Sequence, residues 1–103
     1  MARRPRLLYP GAVYHVMSRG NRKAPVYEDD GDREHFFQTI ATGTARYTVV
    51  IYAACQMTNH YHLVLSTPRG NLSAFMQYVN GVFAQASNRR HGRTGHVFEA
   101  RFR

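Results

Sequence analysis

The chain of 103 residues has no tryptophan, a single cysteine, four prolines and only one lysine among its cations. One cysteine excludes an internal disulfide, so the fold must rest on its core alone. Cys55 lies inside an apolar run and reads as a small buried hydrophobe, which fits a reducing compartment such as the cytoplasm. Long hydrophobic runs are missing too. No stretch approaches the ~20 apolar residues of a membrane-spanning helix, and no apolar core follows the N-terminal arginines as in a secretory signal. Internal repeats and low-complexity linkers are absent, so a single domain over 1–103 is expected. Acidic residues are scarce: six stand against 14 lysines plus arginines, for a net charge of +8.

What is present is apolar and aromatic material enough for one modest core, with 44% hydrophobic residues, seven Tyr and six Phe. That composition excludes a disordered chain. Of the 14 cations 13 are arginine, Lys23 being the exception. The guanidinium fork matches phosphate oxygens and stacks on flat rings better than an ammonium does. A nucleic-acid partner follows more naturally than a soluble basic protein without one, because the charge is clustered.

The clusters are three. Met1 to Pro10 carries Arg3, Arg4 and Arg6 beside two prolines; it reads as a basic arm along a phosphate backbone or as a solvated end. In Ser18 to Lys23 the cations Arg19, Arg22 and Lys23, with Asn21, surround Gly20, a loop chemistry that suits phosphate as well as it suits an ordinary polar loop. Asn88 to Arg103 holds Arg89, Arg90, Arg93, Arg101 and Arg103, interleaved with His96, Phe98 and Phe102. Cations with rings between them suit single-stranded nucleic acid, where bases stack and phosphates pair. His91 and His96 read here as loop or phosphate-contacting residues.

Periodicity supplies the elements. Gly11–Arg19 alternates as a first strand, apolar on both faces. Val26–Glu28 reads as a short extended piece. Asp29 to Asp32 offers N-cap side chains for a helix over about Asp32–Thr42, with Phe36, Phe37, Ile40 and Ala41 as its stripe, His35 at its surface and Gly43 at its end. Arg46–Met57 is β-branched and aromatic, a second long strand. Thr58-Asn59 turns it back into a hairpin partner over His60–Leu65. After a break at Thr67–Gly70, Asn71 or Ser73 caps a helix to about Asn88, on which Leu72, Phe75, Met76, Val79, Phe83 and Ala86 recur at helical spacing. Gly81 within it permits a close approach, and Tyr78 lies off the stripe. Val97–Arg101 suits a last strand. The order β-α-β-β-α-(β) specifies an α+β, ferredoxin-like (split β-α-β) antiparallel sheet with helices on one face.

In that topology the strand from His60 is central. His60 and His62, two apart, point to one face and Tyr61 to the other. Paired imidazoles on a stiff strand are half of a metal site, or two ordinary polar-face residues in a chain with six histidines. His15 on the neighbouring strand comes near the pair, as a satisfied sheet residue rather than a ligand. An RNA-binding module of the same layout would instead need aromatics such as Tyr14 and Tyr61 exposed on the open face.

Several stretches taken together resemble a known family. Pro10-Gly11-Ala12-Val13-Tyr14-His15-Val16 with Arg19-Gly20-Asn21, then Met57-Thr58-Asn59-His60-Tyr61-His62-Leu63, are similar to motifs of the HUH single-strand DNA transposases, specifically the REP-associated tyrosine transposases. Asn71-Leu72-Ser73, Asn88-Arg89-Arg90, Gly95-His96-Val97-Phe98 and Arg101-Phe102 extend the likeness over nearly the whole chain from Pro10. The resemblance implies a divalent metal, Mg²⁺ or Mn²⁺, held by His60 and His62. It implies single-stranded or hairpin DNA as partner, with Arg19, Asn21, Arg22, Arg89, Arg90, Arg93 and Arg101 as contacts, and often a homodimer. Cleavage would pass through a 5′-phosphotyrosine. The family's nucleophilic tyrosine belongs to a further helix, beyond the position of Arg103, so the expected catalytic residue is not among those read here. A non-catalytic DNA-binding remnant or regulator is the alternative reading.

Overall fold

Alternation along one central strand decides where everything else sits. A computed structural model describes residues 12–103; the arginine-bearing arm Met1–Pro10 lies outside the described residues. Its elements are β1 (Val13–Arg19), α1 (Asp30–Tyr47), β2 (Val50–Gln56), β3 (His60–Ser66) and α2 (Leu72–His91), with a 3-10 turn at Asn21–Lys23. The strands form an antiparallel sheet in the order β1-β3-β2. On β3, Tyr61, Leu63 and Leu65 are fully buried while His60, His62 and Val64 are half-buried. One face therefore packs on the helices and the other stays open, as an antiparallel sheet allows.

The core is the buried face of the sheet with Phe36 and Ile40 from α1 and Leu72, Phe75, Met76, Val79 and Phe83 from α2. Each such large side chain, fully buried, contributes about 1.5–3 kcal/mol. Tyr61 adds a polar tie within that layer. Its hydroxyl donates to Asn80 Oδ1 at 2.6 Å, and Asn80 Nδ2 donates to Ser18 Oγ at 3.0 Å. One hydrogen-bonded chain thus joins β3, α2 and β1. Tyr61 is 0% exposed and Tyr14 lies against the core. Neither offers a ring on the open face.

Several boundaries differ from expectation. Asp29 caps α1, its side chain accepting from the Asp32 amide at 2.9 Å, but the helix does not end at Gly43. Gly43 is buried inside it, where a Cβ would lie 3.0 Å from Phe75 Cε1, so the residue serves helix packing. The helix runs on to Tyr47 and consumes the first part of the stretch Arg46–Met57; β2 begins only at Val50. Cys55 is exposed, not buried, because β2 is an outer strand. Asn71 occupies the N-cap position of α2, yet its side chain donates to the Tyr47 carbonyl at 2.9 Å instead of capping. Gly81 has nothing within 4 Å of a would-be Cβ, so no close approach required it. Tyr78 is half-buried against Tyr47 and Arg46.

The C-terminal segment makes one bridge, Gly20 with Phe98, and no full strand over Val97–Arg101. Backbone bonds from Asn21 N to Val97 O and from Glu99 N to Arg19 O extend it, both at 2.8 Å. Met17 and Arg103 then exchange a pair of bonds at 2.7 and 2.6 Å. The segment flanks β1, where the fourth strand of a ferredoxin-like sheet belongs, but the register slips between Glu99 and Arg103.

Thr48 ends α1 in a left-handed conformation, φ 55° and ψ 54°. A β-branched residue there is strained by sterics that glycine lacks. Thr48→Gly is therefore expected to stabilise the fold by roughly 1 kcal/mol, read as a rise in thermal midpoint. A fall would show that the threonine side chain contributes more than its backbone strain removes.

Candidate metal centre and nucleic-acid surface

The open face of the sheet gathers three imidazoles. His60 and His62 project from β3 with ring centroids 4.9 Å apart and planes nearly perpendicular, at 85°. His15, across the register on β1, stacks on His62 at 5.1 Å with its Nε2 3.1 Å from His62 Nδ1. Burial, together with the His60 and His15 rings, pushes His62 below the ordinary histidine range. A neutral imidazole is the form that lends a lone pair to a cation. Two nitrogen donors side by side on a rigid central strand thus fit a borderline divalent cation. His15 is closer to His62 than a bystander would be.

The turn before β3 is stitched to the loop after β1. Gly20 N donates to Asn59 O at 2.8 Å, and Val26 N to Thr58 O at 2.9 Å. Gly20 is required here: a Cβ would run into the Ala24 carbonyl. Arg22 and Lys23 in this loop both have positive φ, 57° and 60°. Asn59 bridges the two segments, with Oδ1 2.8 Å from His60 Nδ1 and Nδ2 3.3 Å from the Lys23 carbonyl.

The cations predicted from sequence divide into two groups. Arg19 is bound to Glu99 at 3.0 Å; Arg90 to Asp29 at 2.8 Å and to Asp32 at 2.7 Å; Arg93 to Glu28. Arg22, Arg89 and Arg101 are exposed and make no ion pair among the described residues, and Asn21 stands beside Arg22. The cations without a carboxylate partner among the described residues can meet a phosphate without first breaking an ion pair.

Sequence reasoning missed a second cluster. His91 is not a loop residue: it ends α2, with Nδ1 2.9 Å from Glu28 and Nε2 2.9 Å from Asp32. Glu28, Asp32 and His91 form a compact trio, and Arg90 and Arg93 bind its carboxylates. Cations already satisfy these oxygens, so the trio works as a strut between helices. His35 is half-buried: it stacks on Phe83 at 5.9 Å, with a buried Nε2 that has no partner among the described residues.

The described tyrosines are all engaged elsewhere. Tyr14 and Tyr61 point to the helix side of the sheet, and Tyr27 is buried in the core. Burial raises the hydroxyls of Tyr27 and Tyr61 well above the ordinary tyrosine range. Tyr47 and Tyr78 pack together between the helices. Tyr52 is on the open side but reaches Ser66 at 3.4 Å. Ser66 lies four residues along β3 from His62, about 13 Å away at the usual strand rise.

A split β-α-β sheet with helices on one face and three imidazoles on the other is a compact α+β arrangement. This chain belongs to the family of IS200-like transposases, whose family model matches residues 9–103. Among solved structures it is similar to a REP-associated tyrosine transposase bound to a REP hairpin, with a TM-score of 0.83 and 15% identity. That match covers 100% of this chain and 60% of the other, so the chain spans about three-fifths of that protein's length. A transposase-like protein from Deinococcus radiodurans R1 is similar with a TM-score of 0.72 and 15% identity, over 99% of this chain and 83% of that one. At such identity the likeness shows the shared ferredoxin-like fold. No curated protein matches the chain.

Proposed function

We propose that this chain is the cation-holding and DNA-holding part of a tyrosine transposase that cuts and rejoins single-stranded or hairpin DNA. The observation that carries the reading is the imidazole pair, His60 and His62, with centroids 4.9 Å apart on the open face of the central strand. When bound there, Mg²⁺ or Mn²⁺ supplies Lewis-acid polarisation of a phosphate oxygen. The chain's own residues do the rest of the positioning. His60 and His62 fix the place of the scissile phosphate relative to the sheet. Arg22, Arg89 and Arg101, with Asn21, hold flanking phosphates, and Arg19, Arg90 and Arg93 add to the field while remaining paired to carboxylates.

The attacking hydroxyl comes from a tyrosine outside residues 12–103. The support for this is the engagement of every described tyrosine away from the imidazoles. The new bond joins tyrosine oxygen to phosphorus, the phosphorus–O3′ bond breaks, and a 5′-phosphotyrosine and a free 3′-hydroxyl result. Reversal by another 3′-hydroxyl rejoins the strand.

Calorimetric titration with Mn²⁺ tests the site. The wild-type chain is expected to bind one ion, and His60→Ala and His62→Ala to weaken it at least about tenfold each. Unchanged affinity in both variants would remove the assignment. Labelled single-stranded and hairpin DNA tests the partner. Binding should weaken steeply with salt, each phosphate contact adding about 0.7 to the logarithmic slope for a single strand. No covalent adduct is expected from residues 12–103. An adduct mapped by mass spectrometry to Tyr52 or another described tyrosine would overturn the placement of the nucleophile.

A further inference from the structure

The Asn59 side chain touches two groups at once, and its two contacts together decide a proton position. An amide has a donating end and an accepting end. The Lys23 carbonyl can only accept, so the amide nitrogen must face it, at 3.3 Å. The oxygen then faces His60 Nδ1 at 2.8 Å. An oxygen that only accepts requires a hydrogen on that ring nitrogen. In the neutral imidazole the other nitrogen, Nε2, is then bare.

We propose that Asn59 is a positioning residue that selects the Nδ1–H tautomer of His60 and so leaves its Nε2 free to take a cation. The inference rests on the reading of His60 and His62 as cation ligands. His15 Nε2 lies 3.1 Å from His62 Nδ1, so one of the two carries the shared hydrogen. When His62 donates it, His62 Nε2 is bare as well, and both rings of the pair present the same atom. Partners of this kind orient metal-binding imidazoles and fix their tautomers in general.

The arrangement also accounts for a strained loop. Arg22 and Lys23 stand in succession at positive φ, which non-glycine residues avoid. Their turn brings the Lys23 carbonyl to the Asn59 amide. The bonds from Gly20 to Asn59 and from Val26 to Thr58 hold the two segments together around it. Without the Lys23 carbonyl the amide could rotate by half a turn, and its nitrogen would then demand the opposite tautomer of His60.

The test reads the tautomers directly, in the metal-free chain, from long-range ¹H–¹⁵N correlations of the imidazole rings. Wild type is expected to show His60 as Nδ1–H with a bare Nε2. Asn59→Leu should move His60 toward the Nε2–H form and weaken Mn²⁺ binding by about 10- to 100-fold. Asn59→Asp, which still accepts from Nδ1–H, should keep both the tautomer and the affinity, and so separates positioning from a folding defect. His60 found as Nε2–H in wild type would overturn the proposal, as would an Asn59→Leu variant with unchanged tautomer and affinity. Failure of the wild-type chain to bind Mn²⁺ would count against the cation site itself, while the ring correlations still decide the role of Asn59.

Discussion

Phe83→Ala is expected to destabilise the chain by about 3–5 kcal/mol, a large part of the roughly 5–15 kcal/mol by which domains are stable. The ring is 0% exposed and stands where four parts of the molecule meet. Its centroid lies 5.5 Å from Phe36 on α1, 5.7 Å from Tyr27 in the loop before that helix, and 5.9 Å from Phe98 in the C-terminal segment. On its remaining side it covers His35, whose buried Nε2 has no partner among the described residues. Truncation would leave a cavity lined by rings that cannot all collapse inward, and would open that nitrogen to water. Urea unfolding followed by far-ultraviolet dichroism measures the loss. Phe83→Leu, which refills much of the volume, should lose under about 1.5 kcal/mol. A comparably small loss in Phe83→Ala would show that the helices and the C-terminal segment hold together without this ring.

The layout was legible wherever a residue's own neighbours decide its state. The alternation of His60 to Leu65 gave the faces of β3, and from them the imidazoles on the open side and the buried Tyr61. The spacing of Leu72, Phe75, Met76, Val79 and Phe83 gave the buried side of α2. Reading failed where a distant contact decides. Tyr47 to Val50 has strand-like composition, yet α1 continues to Tyr47, whose ring packs on Phe75 and Tyr78 of α2. The apolar run through Cys55 looks like interior sequence, and only the strand order places it on an outer edge. The ion pairs were invisible for the same reason. Arg90 and His91 meet Asp32 across 58 and 59 residues of chain. Counting arginines thus overstated the free charge: Arg19, Arg90 and Arg93 are each bound to a carboxylate.

Acid should act on the fold first through Asp32. Its side chain is 2% exposed and receives three groups: the Glu28 amide at 2.9 Å, Arg90 at 2.7 Å and His91 at 2.9 Å. Burial alone would push its carboxyl up, but the Glu28 amide, His91 and Arg90 outweigh it and hold the group below the usual carboxylate range. The sign follows from linkage. A carboxyl whose folded value lies below its unfolded value, about 3.9 for aspartate, contributes its full stability above that unfolded value. The contribution is lost as pH falls through the lower folded one. Wild type should therefore weaken steeply below about pH 4, as the tie between the start of α1 and the end of α2 is protonated. Asp32→Asn removes the titrating group. It should lower stability near neutrality by about 3 kcal/mol, the range found when one partner of a buried pair is removed. The more exposed Asp29 and Glu28 still hold Arg90 and His91, which keeps the loss at the low end. Urea midpoints measured across acidic pH should then fall less steeply for Asp32→Asn than for wild type. Parallel curves would mean that other carboxylates carry the acid sensitivity and that the strut between the helices does not depend on the charge of Asp32.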